Sequence, residues 1–345
     1  MTGIQAAIGR LLDRQDLAGD EMTAAMSELM TGEATPAQVG AFLAALRVKG
    51  ETVEEVASAA AVMRSLADPV DIGAARAIDI VGTGGDASHT FNVSTCSAIV
   101  AAAAGVPVAK HGNRAVSSRS GAADLLEAAG VNIELDAGEV ARCVAAVGLG
   151  FMFAPRHHGA MKHAIGPRRE LGARTIFNLL GPLTNPAGAR RQVLGVYAGS
   201  WVRPLADVLA RLGSEHAMVV HGADGMDELS VGGPSLVAEL VDGEVREFEI
   251  RPEELGIETS PLASIRVEDA AGSLAMVHSV LADEPGAPRD IVLLNAGAAI
   301  RVGGAVDSLA DGIARAREAI ASGAARAKLD ELVAFTRALG EERGE

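Results

Sequence analysis

The side chains able to do chemistry fall into four segments, each just beyond a short apolar stretch. Gly82-Thr83-Gly84-Gly85-Asp86-Ala87 follows Ala77 to Val81. It formally matches the G-x-G-x-x-[G/A] pattern of dinucleotide sites. Such sites want an acidic residue about 20 positions on for the ribose hydroxyls. No Asp or Glu stands between Asp86 and Asp124, and His89 to Ser94 separates the loop from the next helix. A GxxxxGK[ST] nucleotide loop is absent. What remains is either a tight strand-to-helix turn or a run of small residues whose backbone N–H groups can approach an anion closely. The neighbours favour the anion. Asn92-Val93-Ser94-Thr95 brings polar side chains ahead of the apolar run Cys96 to Ala104. Ser94 or Thr95 can act there as a helix N-cap. A helix N-terminus with spare hydroxyls is also a seat for phosphate or magnesium phosphate.

The second segment, Lys110-His111-Gly112-Asn113-Arg114-Ala115-Val116-Ser117-Ser118, is a run of donors after Val106 to Ala109. The third runs from Arg156-His157-His158-Gly159 through Lys162-His163 to Arg168-Arg169. Adjacent histidines point apart, so His157 and His158 read as hydrogen-bonding residues rather than a zinc pair. Arg168 is suited to a bidentate grip on a planar carboxylate. The fourth, His221-Gly222-Ala223-Asp224-Gly225-Met226-Asp227-Glu228, crowds three carboxylates together. Like charges so close imply a cation, and oxygen ligands beside a phosphate site favour Mg2+.

These segments need elements to position them. Residues 1–70 read as helices only, with Pro36 at a first helical position, a capping box at Thr52-Val53-Glu54-Glu55, and Pro69 as a stop. Short buried strands are expected at 77–81, 106–109, 150–154, 193–198 and 217–221, with helices starting near Thr95 and about Ser118. Strands alternating with helices imply a parallel sheet covered on both faces. Ser235 to Ile250 alternates around Asp242-Gly243 as a hairpin, and residues 265–341 are helical again. In such sheets ligands bind beyond the carboxyl ends of the strands.

At 345 residues, about two domains are expected. The formal charge of −15 disfavours nucleic acid and anionic membranes as partners. It conceals a local excess: residues 105–175 hold nine Lys/Arg against six Asp/Glu. Aromatics at 3% leave no base-stacking platform. Cys96 and Cys143 form no CxxC pair or disulfide framework, which suggests a cytoplasmic location. No secretory signal is visible, and the longest apolar run, Ala98 to Ala109, has 12 residues and is too short for a bilayer.

Taken in order, Gly82-Thr83-Gly84-Gly85-Asp86, Asn92-Val93-Ser94-Thr95, Lys110 to Ser118 and Asp227-Glu228 resemble the anthranilate phosphoribosyltransferase family, as does Thr175-Ile176-Phe177-Asn178-Leu179-Leu180-Gly181-Pro182-Leu183-Thr184-Asn185-Pro186. The resemblance spans nearly the whole chain. It implies transfer of the 5-phosphoribosyl group of 5-phosphoribosyl-1-pyrophosphate (PRPP) to the amino group of anthranilate, a step of tryptophan biosynthesis. The implied fold is an α/β one of the nucleoside phosphorylase/phosphoribosyltransferase type. A small all-helical N-terminal domain, 1–70, would join a larger α/β domain, 75–345, with a mostly parallel sheet, and a helical segment near 165–185 would connect to it. The resemblance further implies Mg2+, two ions per site, and a homodimer formed through the helical domains.

Carried over to this chain, Gly82, Gly85, Asp86, Thr90, Asn92, Val93, Ser94, Thr95 and the run Lys110, His111, Gly112, Asn113, Arg114, Ala115, Val116, Ser117 and Ser118 would hold PRPP. Gly82, Asn113, Arg168, His111 and His158 would meet anthranilate. Ser94, Asp227 and Glu228 would meet the metal. No general base is assigned. Ala122 stands where many members carry Ser, and Met161 where some carry Tyr. Two other readings are a pyrimidine-nucleoside phosphorylase, echoed by Lys110, Ser118-Arg119 and Asp124-Leu125-Leu126-Glu127, and a non-catalytic nucleic-acid-binding relative. The Asp227-Glu228 pair speaks against phosphorolysis, which needs no such pair. The acidic balance speaks against nucleic acid.

Overall fold

A computed structural model of the protein describes residues 3–73, 76–115 and 120–342. Four helices come first: α1 (Gly3–Leu12), α2 (Gly19–Thr31), α3 (Pro36–Lys49) and α4 (Val53–Ser65). Their starts are written locally. Thr35 Oγ1 accepts the Gln38 N–H with Pro36 at the first helical position, and Thr52 Oγ1 accepts the Glu55 N–H at 3.2 Å. Glu55 returns the bond to Thr52 and also accepts from Leu17 N–H and Lys49 Nζ, so this fully buried carboxylate is compensated.

The rest is built on a sheet. In chain order follow β1 (Ile78–Gly82), α5 (Val93–Ala103), β2 (Val108–Gly112), α6 (Ala122–Ala128), α7 (Ala137–Val147), β3 (Leu149–Phe153), α8 (Ala154–His157), α9 (Lys162–Leu171), α10 (Phe177–Leu180), β4 (Arg191–Gly195), α11 (Val202–Arg211), β5 (His216–Gly222), β6 (Ser235–Val241) and β7 (Glu244–Ile250). Four more helices close the chain: α12 (Ala270–Leu281), α13 (Ala287–Val302), α14 (Leu309–Ala321) and α15 (Ala324–Glu342). Among the described residues the sheet has seven strands in the order β3-β2-β1-β4-β5-β6-β7. β1 to β5 are parallel, and β6 and β7 add antiparallel at one edge. The expected mostly parallel α/β fold is therefore present, and Asp242 and Gly243 turn the expected hairpin at positive φ.

Alternation along the strands feeds two cores. Ile78, Ile80, Val193, Met218, Val220 and Val237 face a cluster containing α5 and α13. Leu194, Ala217, Val219, Ala238 and Leu240 face a second cluster containing α11, the residues of α1–α4, and Ala164, Phe177 and Leu180 from α9 and α10. Both faces are thus covered, one of them partly by the N-terminal bundle. Arg64 on α4 reinforces that junction by donating to the Leu183 and Leu212 carbonyls.

Three expectations shift. β4 runs Arg191–Gly195 rather than 193–198, because Arg191 and Gln192 already pair with β1 and β5, and the polar Gln192 is accommodated by its amide donating to the Pro182 carbonyl. α6 starts at Ala122 and not near Ser118, capped by Gly121 in extended conformation. The cap of α5 is Asn92, whose Oδ1 accepts the Thr95 N–H at 2.9 Å, and not Ser94 or Thr95.

Candidate active site

Chain order runs from β1 outward to β2 and β3, then returns to β4 on the other side of β1. The crevice beyond the carboxyl ends of β1 and β4 is therefore the topological switch point, where α/β sheets bind ligands. Asp227 closes over it. A β-carbon at Gly195, the last residue of β4, would collide with the Asp227 carbonyl, and one at Gly82 with its carboxylate. Only glycine at both strand ends lets the 222–230 loop approach this closely. Asp227 Oδ2 in turn accepts the Gly84 N–H at 2.7 Å.

The glycine loop itself is held at three points. Thr83 N–H donates to the Gly195 carbonyl, and Thr83 Oγ1 accepts the Tyr197 N–H at 3.0 Å. Gly84, Gly85, Ala87 and His89 all take positive φ, which curls the backbone through the Gly85-Asp86 corner. Arg174 donates to the Gly85 carbonyl while its guanidinium lies 4.4 Å from the centre of the Tyr197 ring. At the far end, Phe91 N–H donates to Ile265 and Val267 N–H to His89, and Thr90 bridges Arg266.

The loop delivers Asp86 beside Asp227. Burial first, and the neighbouring Asp86 carboxyl second, push the Asp227 carboxyl up to about 7. Burial and then Asp227 push Glu228 well above the usual carboxylate range, against the pull of Lys110 and the Ser94 N–H. Lys110, only 2% exposed, donates to the Ile80 carbonyl and to Ser94 Oγ at 3.3 Å. Burial lowers its pKa, while Asp79 and Glu228 raise it. Ser94 Oγ also donates to Asn92 Oδ1 at 3.3 Å. Asp86, Asp227, Glu228, Ser94, Asn92 and Lys110 thus form one oxygen-rich cluster with a single amine beside it.

Asp224 is not part of it. Its carboxylate accepts from Ser230 Oγ at 2.6 Å and closes the turn. The third carboxylate of that crowded segment has a structural job, and Asp86, remote in sequence, takes its place beside Asp227. Among the described residues no three His, Cys, Asp or Glu side chains are arranged to hold a metal alone. The donor set suits Mg2+, whose remaining ligands are water and phosphate oxygen.

Other expected residues fall as follows. Val93 is packed in the core, and Thr95 is buried with its hydroxyl unpartnered. The Asn113 carbonyl accepts the Ala123 N–H, and its Oδ1 accepts the Arg114 N–H at 2.7 Å. Arg114 turns to Glu127 and Asp124 on α6, and Asp124 also caps the Ala115 and Gly121 N–H groups. Gly112 ends β2 beneath the Phe151 ring. Val116, Ser117 and Ser118 lie outside the described residues.

His111 and His158 are brought together, with rings 5.0 Å apart and each Nε2 unpartnered. Burial lowers both: His111 well below its ordinary value, and His158 to about 4. They are uncharged imidazoles at neutral pH. His157 is also buried, but with both ring nitrogens unpartnered. Arg168 on α9 stands 4.8 Å over the Phe177 ring with no acidic partner in ion-pair range among the described residues. No direct bond joins it to either histidine.

Sequence reasoning gave no role to Arg174, which holds the Gly85 carbonyl, or to Asp79, and named Asn185, the partner of Asp79, only within the 175–186 segment. Arg174 was visible only as one charge of the basic stretch. Asp79 carried a stronger signal, a carboxylate inside an apolar strand, which demands a buried partner.

The described architecture matches known proteins throughout. Residues 5–67 match the glycosyl transferase family helical bundle domain, and residues 74–326 its a/b domain. An anthranilate phosphoribosyltransferase of Thioalkalivibrio sulfidiphilus is 62% identical over 333 residues, 96% of this chain and 98% of that one. The crystal structure of anthranilate phosphoribosyltransferase from Thermus thermophilus superposes with a TM-score of 0.91 at 44% identity, covering 96% of this chain and 99% of that one. The Saccharomyces cerevisiae enzyme, in complex with PRPP and Mg, gives 0.89 at 28% identity, covering 97% and 98%. With 4-fluoroanthranilate it gives 0.87 at 27%, with the same coverage.

Proposed function

The chain belongs to the anthranilate phosphoribosyltransferase family, and we propose that the crevice between β1 and β4 is where it joins the 5-phosphoribosyl group of PRPP to the amino group of anthranilate, releasing pyrophosphate. The observation that carries this assignment is the oxygen cluster of Asp86, Asp227, Glu228 and Ser94 beside the Lys110 amine, at the switch point. Neither a phosphorylase nor a nucleic-acid binder gives that acidic cluster a task, and the relatives support neither reading.

Displacing pyrophosphate from an anomeric carbon builds negative charge on the leaving group. Magnesium, when bound with the donor, neutralises that charge. Ser94, Asp227 and Glu228 are the residues that would hold it, and two ions per site are proposed. The high pKa of Asp227 and Glu228 fits, because burial, and after it the crowding with a neighbouring carboxyl (Asp86 for Asp227, Asp227 for Glu228), is offset only by a cation or a proton.

The chain's other residues bind and orient. The curled loop at Gly85 and Asp86, beyond the Thr83 and Gly84 N–H groups that hold it in place, together with Asn92, Thr90 and the Lys110 to Ser118 run, would grip the phosphates. Lys110 would set a fixed positive charge beside the leaving oxygen. Arg168 would take the anthranilate carboxylate in a fork, with Asn113, His111 and His158 along its approach. The anthranilate amine already has a free lone pair, so it needs positioning more than deprotonation. Neutral imidazoles along that path suit an uncharged aromatic amine. The protein is further proposed to act as a homodimer through its helical bundle.

The test is direct. The protein mixed with anthranilate, PRPP and Mg2+ should extinguish anthranilate fluorescence, and chelating the metal should stop the loss. Undiminished fluorescence beside an active control enzyme would overturn the assignment.

A further inference from the structure

The sheet opens between β1 and β2. β1 pairs with β4 through five residues, and β2 with β3 through five. Between β1 and β2 the register records only Ile78 with Val108. The Ile78 N–H donates to the Pro107 carbonyl at 2.9 Å, and the pairing goes no further than Ile78 with Val108. A continued parallel ladder would next use the Ile80 N–H, the Ala109 carbonyl, the Ile80 carbonyl and the His111 N–H. The Ile80 N–H goes to the Asp79 carboxyl, and the other three are also taken by side chains. Asn185 Nδ2 donates to the Ala109 carbonyl at 2.8 Å. Lys110 Nζ donates to the Ile80 carbonyl. The His111 N–H donates to Asp79 Oδ1 at 3.2 Å.

Asp79 and Asn185 are joined to each other, Asn185 Nδ2 to Asp79 Oδ2 at 2.8 Å, and are 0% and 6% exposed. Asn185 is pinned from its own side, because its Oδ1 accepts the Ala187 N–H at 2.9 Å. Its amide therefore has one orientation, donor toward the gap. These three groups keep partners across the opening, so the gap is a satisfied arrangement rather than a frayed edge.

We propose that Asp79 and Asn185 are positioning residues, which wedge β1 from β2 so that the Lys110 amine and the His111 ring stand at their places in the crevice. Without the wedge the ladder can close: the His111 N–H takes the Ile80 carbonyl, and Lys110 Nζ loses its anchor. The inference rests on the function proposed above, because it gives Lys110 and His111 their importance.

Asn185→Ala removes the amide and leaves the Asp79 carboxylate. Its crystal structure should show the His111 N–H moved toward the Ile80 carbonyl and the Lys110 amine displaced. Its kcat/KM for PRPP should fall about tenfold to a hundredfold, the scale of a displacement near 1 Å, with most of the loss in kcat. Unmoved Lys110 and His111 would overturn the proposal, whatever the kinetics. So would a moved pair with kinetics within about twofold of the parent, since the wedge would then be merely structural. Should Asn185→Ala not fold, Asp79→Asn, which keeps an acceptor for the His111 N–H and turns an amide donor toward Asn185, is read the same way. If the parent itself turns over no anthranilate, the function assignment falls, and the variant structures still decide the wedge.

Discussion

Asp227 faces opposed demands. The proposed cation site needs its charge, yet burial and Asp86 resist that charge. A carboxyl raised from its ordinary 3.8 to about 7 binds its proton more tightly folded than unfolded. Its contribution to stability is therefore fully present below about pH 4 and is lost as pH rises toward 7. Asp227→Asn removes the charge and keeps an acceptor for the Gly84 N–H. In EDTA the variant should melt above the parent at pH 8, and the gap should shrink as the pH falls toward about 4. Excess Mg2+ with PRPP should stabilise the parent and not the variant, whose turnover should be lost. Equal melting temperatures at pH 8 would contradict this account of the cluster. Arg168 is the complementary case, a half-buried cation without a carboxylate. Arg168→Ala should raise KM for anthranilate about tenfold to a hundredfold, the value of a charged hydrogen-bonded pair. KM for PRPP should stay within about twofold of the parent. Arg168→Lys should fall between, since it keeps charge without the fork. Equal losses for both substrates would assign Arg168 elsewhere.

At the scale of elements, two glycines of one crevice serve for different reasons. Any side chain at Gly195, at the end of β4, would meet the Asp227 main chain. Gly84 has open space around it and needs only its φ of 65°. Gly195→Ala should therefore push the 222–230 loop off the strand ends, costing about 3 kcal/mol or more and abolishing turnover. Gly84→Ala should cost about 1 kcal/mol through backbone strain alone. Chemical denaturation measures both, and similar costs would mean that the loop yields freely. The same contrast explains what could be read beforehand. Alternation and length reveal β1, β2, β3, β5 and the 235–250 hairpin, because a buried strand is a local apolar pattern. Glycines and hydroxyls after strands point to the crevice proposed as the site, since the switch-point rule concerns topology. The Asp86–Asp227 approach was hidden, as was the Asn185 amide reaching the Ala109 carbonyl 76 positions away. Such contacts depend on packing, which spacing does not encode. Asp224 misled for the same reason: proximity in sequence placed it with Asp227, while its turn aims it at Ser230.

At the scale of the whole molecule, the helical bundle is not a freely hung domain. One continuous apolar cluster runs from Ile4 and Met63 through Phe177 and Leu180 to the sheet at Leu194 and Val219. Its outer side is different. Leu12, at the end of α1, is 70% exposed and Val48, near the end of α3, 73%. These are the most exposed large apolar side chains among the described residues, and the next, Ile165, reaches 47%. Burying each against a second copy would contribute about 1.5–3 kcal/mol. Charges in the centre of such an interface are disfavoured, because they lose water without gaining a partner. If the proposed dimer forms through this side, the double substitution Leu12→Glu with Val48→Glu should convert it to monomer in sedimentation velocity at micromolar concentration. The crevice between β1 and β4 is built within one chain, so anthranilate and PRPP should be bound by the monomer with KM values within about twofold of the parent. A parent that sediments as a monomer would remove the dimer proposal. A variant that stays dimeric would move the interface away from α1 and α3.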